Sequence, residues 1–122
     1  MSVPAPTAHE TLDDRRVLLV LSTLPDHDSA ERLAAALVEA GLAACVNVMA
    51  PCTSVYRWQG AVEVAEECQL LIKTLRSRFA ELKQAILLHH PYELPEILAV
   101  SVADAHIPYL DWLLDACAEP SS

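Results

Sequence analysis

From Ala61 to Thr74 the chain alternates in character: Val62 and Val64, then Cys68, Leu70 and Ile72, fall on one side of an extended backbone, whose successive side chains point to opposite faces. Ser54 to Trp58 also reads as extended, and Gln59-Gly60 between the two supplies a hairpin turn. The fourteen residues of the second arm would span roughly 46 Å, against about 20 Å for a typical strand. Part of such a ribbon projects beyond its own sheet, where an apolar face needs a partner to keep it from aggregating. The competing reading breaks the arm at Glu66-Glu67 into two ordinary strands.

The remaining punctuation is regular. Val17 to Leu21 is an apolar run of strand length, interrupted by Pro25 and Asp26. Asp28 with Glu31 offers a capping box for a helix whose Ala30, Leu33, Ala34, Leu37 and Val38 share a face until Gly41 stops it. Ala43 to Met49 returns to strand composition and Pro51 breaks it. Ser77 begins a second helix with Phe79, Leu82, Ala85, Ile86 and His89 inward, ended by Pro91. Ile97 to Val102 is a short strand, and Pro108 suits the first turn of a closing helix with Leu110, Leu113, Leu114 and Cys117 inward. The order β-α-β-β-α-β, then α, predicts an α+β, ferredoxin-like sandwich: two helices on one face of an antiparallel sheet, with an extra C-terminal helix. Many functions share that fold, so it specifies no chemistry by itself.

At 122 residues the chain fits one domain, placed at 15–117, between a flexible lead-in at 1–14 and a tail at 118–122. Hydrophobic residues make up 53%, more than so small an interior needs, which points to self-association. Seventeen acidic residues against eight basic give a formal charge of −9, which repels phosphate backbones and anionic lipid, so nucleic acid and membrane are not expected partners. Cys45, Cys52, Cys68 and Cys117 form no Cys-x-x-Cys pair and read as reduced thiols. With no basic start and no apolar stretch before Val17, the N-terminus is not read as a signal peptide, and the cytoplasm is the expected compartment.

Chemistry concentrates in His89-His90-Pro91-Tyr92-Glu93-Leu94-Pro95-Glu96. Imidazole and carboxylate are donors that copper and zinc accept, and the prolines stiffen the segment presenting them. The alternative is a rigid connector with solvated histidines. Adjacent helical residues point about 100° apart, so His89 and His90 converge on one ion only if the helix ends between them, as Pro91 permits. Glu67 and Lys73 share a strand face and are placed either in a polar intersubunit cleft with Tyr56 and Tyr92 or in a structural ion pair. Cys45 reads as core, and Trp58 and Trp112 as packing or interface anchors. No nucleophile with an adjacent base stands out, so an enzyme is not expected.

Five blocks in order, Gly41-Leu42-Ala43-Ala44-Cys45-Val46-Asn47, Tyr56-Arg57-Trp58-Gln59-Gly60, Glu67 with Lys73-Thr74, His90-Pro91-Tyr92-Glu93 with Pro95-Glu96-Ile97, and Tyr109-Leu110-Asp111-Trp112, resemble the signatures of the CutA divalent-cation tolerance proteins from about Val17 to Leu114. The resemblance implies a cytoplasmic, non-catalytic homotrimer, similar in architecture to the PII signalling proteins, that is linked to tolerance of copper and other divalent cations. Metal ligation in some members is attributed to a cysteine at the end of the first strand and to the paired histidines; the matching positions here are Ser22, His89 and His90. Without the thiolate, the expected ion is Cu(II) or another divalent cation such as zinc or nickel, with Glu93 or a neighbouring subunit completing the set and no metal needed for folding. The alternative is a PII-like regulatory or scaffold trimer. It would take a partner protein or a small anionic ligand at an intersubunit cleft lined by Tyr56, Glu67, Lys73, Tyr92 and Glu93, where Lys73 and Arg57 meet the anion.

Overall fold

The computed structural model describes residues 16–118; the lead-in at 1–14 and the end of the tail, 119–122, lie outside the described residues. The elements run β1 (Val17–Leu24), α1 (His27–Glu39), β2 (Cys45–Val48), β3 (Cys52–Trp58), β4 (Ala61–Leu75), α2 (Phe79–His89), β5 (Leu98–Ser101) and α3 (Ile107–Ala116). All pairings are antiparallel in the order β2-β4-β1-β5, with β3 on the same side of β4 as β2 but further along it. Both β2 and β1 run against β4, so the β1-α1-β2 and β4-α2-β5 connections each join parallel strands across a neighbour. This is the split arrangement expected of a ferredoxin-like sandwich.

The core lies between the sheet and its two long helices. Leu18, Val20 and Leu24 of β1 and Cys68, Leu70 and Ile72 of β4 meet Leu33 and Leu37 of α1 and Leu82 and Ile86 of α2. A smaller cluster of Ala44, Leu75, Leu113 and Cys117 docks α3 on the end of the sheet where β4 finishes.

Several local expectations are corrected. The cap of α1 is Asp26, whose Oδ1 accepts from the Ser29 amide at 2.7 Å, and not Asp28, which lies inside the first turn. Val38 is exposed, since the buried stripe of α1 ends at Leu37. Ser77 caps nothing: Arg76–Arg78 form a 3₁₀ turn that leads into α2, which starts without a side-chain cap. The last turn of α2, Leu87 to His89, stands clear of the core, so His89 is exposed instead of inward.

The long arm is continuous. β4 is fifteen residues, one more than the alternation requires, and spans roughly 50 Å. At Glu66-Glu67 the burial changes while the strand continues, from an exposed ribbon with β3 to a covered sheet. Gln59 and Gly60 both have positive φ, 50° and 83°, the backbone a two-residue turn needs to match strand twist.

Candidate functional site

The segment after α2 folds back on the root of the hairpin because the His90 amide closes the helix on the Ile86 carbonyl and Pro91 forbids another turn. His90 leaves the helix in an extended conformation, φ −79° and ψ 135°, as a residue before proline should. Its ring is buried. The Tyr92 amide donates to Nδ1 at 3.1 Å, which leaves the proton on Nε2 to donate to the Thr23 carbonyl at 2.7 Å. The imidazole is thus a clamp between β1 and the loop, with both nitrogens engaged, and the exposed His89 ring is not brought to the same point. Among the described residues no three His, Cys, Asp or Glu side chains come together as a metal site.

Ser22 lies on the helix-covered side of β1, fully buried, its hydroxyl without a hydrogen-bond partner among the described residues. A side chain there points into the core, one residue from Thr23, whose carbonyl receives His90.

A cavity of about 760 Å³ opens between the hairpin and this loop. Tyr56 and Trp58 line it from β3, two residues apart and so on one face. Glu67 forms its floor from β4, and Tyr92, Glu93 and Glu96 its opposite wall. Only 8% of Glu67 is exposed, and its Oε2 accepts from the Tyr92 hydroxyl at 2.7 Å. Burial first, and then the adjoining Glu67 carboxylate, push the Tyr92 phenol well above its ordinary value. Tyr92 also packs tilted on the His90 ring, centroids 4.8 Å apart. One clamp therefore holds helix end, strand and cavity wall together.

Of the five residues expected in the cleft, Tyr56, Glu67, Tyr92 and Glu93 converge and Lys73 does not. Six residues along a strand separate it from Glu67 by about 20 Å, and its Nζ sits 3.9 Å from Cys45 Sγ and 6.0 Å from the Tyr109 ring centre. The proposed Glu67–Lys73 ion pair is not formed within one chain. Sequence reasoning placed Glu96 among the donors of its segment but not in the cleft, overlooked Thr23 and read Trp58 as an anchor; the available signal was the two-residue spacing of Tyr56 and Trp58 opposite a Tyr-Glu-x-Pro-Glu loop.

An antiparallel ferredoxin-like sheet with a projecting ribbon, a histidine clamp and an acidic, aromatic cavity at the ribbon's root defines the class: a small α+β protein with a preformed ligand-sized crevice. Residues 18–116 match the family model of the CutA1 divalent ion tolerance protein, and the chain belongs to this family. The divalent-cation tolerance protein CutA of Thermus thermophilus is 47% identical over 95 residues, covering 78% of this chain and 92% of that protein. Among solved structures, the Thermus thermophilus protein superposes with a TM-score of 0.78 at 46% identity, covering 80% of this chain and 94% of its own. CutA1 from Oryza sativa gives 0.83 at 33% identity, covering 86% and 96%.

Proposed function

We propose that this CutA family member is a non-catalytic homotrimer that binds divalent cations, copper among them, in the cytoplasm. The observation that carries the assembly is the uncovered apolar surface of a single chain. On the side of the sheet away from α1 and α2, Leu98 and Val100 of β5 stand beside Leu19 and Leu21, and the ribbon exposes Val55, Val62 and Val64. Further copies that cover this face and the valine side of the ribbon, which continues the opposite face, satisfy both the ribbon and the apolar surplus. His89 is the exposed imidazole at the C-terminal end of α2, where the helix dipole favours positive charge. Its further donors come from a neighbouring subunit, and His90 joins only by giving up the Thr23 carbonyl and the Tyr92 amide. Four free cysteines fit a reducing compartment, and no helix of the described residues is long and apolar enough to cross a membrane.

Sedimentation equilibrium should return three times the 13.3 kDa chain mass. Calorimetric titration with Cu(II) and Zn(II) should show saturable binding that is lost in His89→Ala. A folded single chain at micromolar concentration would refute the assembly, and binding no tighter than about millimolar would refute the metal role.

The cavity beside Tyr92 favours a second reading, a regulatory trimer with a small ligand in that crevice. Three lining carboxylates against one basic residue, Arg57, oppose the anionic ligand the sequence suggested.

A further inference from the structure

We infer that the crevice between the hairpin root and the 91–96 loop binds an aliphatic amine carrying two or more positive charges. This rests on the reading of the crevice as a ligand site and names its ligand class; it does not depend on the metal reading. Glu67 is more than nine-tenths buried and lines the cavity, and among the described residues its carboxylate accepts a hydrogen bond from a neutral phenol. Buried carboxylates are ordinarily paired with a cation or bound to a metal. Within the described residues of one chain, the ion pairs His27 with Glu31 and Arg78 with Glu81 leave the cavity carboxylates uninvolved. Arg57 is the basic residue of the lining, and three carboxylates outnumber it.

Three features select among cations. Glu67, Glu93 and Glu96 belong to no cluster able to hold one metal ion, so the negative charge is spread along the cavity and suits separated positive centres. A volume of about 760 Å³ is that of an organic ligand. Tyr56, Trp58 and Tyr92 supply aromatic faces, which attract ammonium groups and also pack against methylene chains.

The test uses the full chain in its assembled state, with Trp112→Phe as background so that the indole signal reports Trp58 alone. Spermidine is the probe, with citrate and Mg(II) as comparators at constant ionic strength. Spermidine should change the Trp58 emission saturably, and Glu67→Gln and Glu96→Gln should each raise the Kd about tenfold or more. Citrate should give no signal, and Mg(II) should not displace the amine. His89→Ala should leave spermidine binding intact, which separates this outcome from that of the metal reading. Should Glu67→Gln fail to fold, Glu96→Gln alone decides. No saturable change, an affinity indifferent to the carboxylate variants, or equal displacement by Mg(II) would each overturn the inference.

Discussion

Ser22 places a hydroxyl inside an aliphatic core with no hydrogen-bond partner among the described residues. Removing a buried, unpaired polar group recovers its desolvation cost, so Ser22→Ala should be neutral or stabilising by about 1 kcal/mol, read as a shift of the urea midpoint at unchanged slope. Tyr92 behaves oppositely, because its hydroxyl is the partner of a buried carboxylate. Tyr92→Phe should cost about 2 kcal/mol by the same measurement. The phenol's raised pKa gives a second sign to check. The folded state keeps its proton at pH values where the unfolded chain, with an ordinary value of 10.0, has lost it. That contribution is therefore complete below pH 10 and falls away as pH rises beyond it, while in Tyr92→Phe this part of the alkaline loss should vanish. The residue types in this segment were legible, but their roles were not. Paired histidines look alike on paper, and only the chain's return to Thr23 turned His90 into a clamp and left His89 exposed.

Among the elements, α1 was read almost whole from its apolar stripe; its start was misplaced and its stripe ran one residue too far, to the exposed Val38. Asp26 and Asp28 are both acceptable caps by type; the choice fell to Asp26 because its extended backbone aims the carboxylate at the Ser29 amide. This bond, first, and the Ser29 side chain hold the Asp26 carboxyl below its ordinary 3.8. A lowered acid stabilises the fold above that value and loses the contribution as pH falls through its folded pKa, so Asp26→Asn should flatten the acid limb of the stability profile while leaving neutral pH little changed. The hairpin turn was equally readable, since Gly60 at φ 83° has the backbone that side chains resist. Gly60→Ala should cost about 1 kcal/mol by thermal unfolding. The start of α2 was not readable, because a 3₁₀ turn carries no composition signal distinct from a weak cap.

At the scale of the whole molecule, the sheet is covered on one side and only closed at one end by α3 on the other. Leu98 and Val100 contribute little to the single-chain core and much to any surface shared between copies. Leu98→Glu with Val100→Glu should reduce the sedimentation mass toward the single chain while far-ultraviolet circular dichroism stays close to that of the parent. Loss of both mass and secondary structure would show instead that the two residues serve the fold itself.

By itself the sequence determined the order of elements, the turn at Gln59-Gly60 and the fold class, since each follows from local periodicity and backbone chemistry within a few residues. Only the tertiary structure decided which polar side chains meet. It joined Tyr92 to Glu67 across twenty-five positions, separated Lys73 from both, and engaged His90 from both sides. Those outcomes depend on where strands stop and loops return, distances that pattern along a chain does not encode.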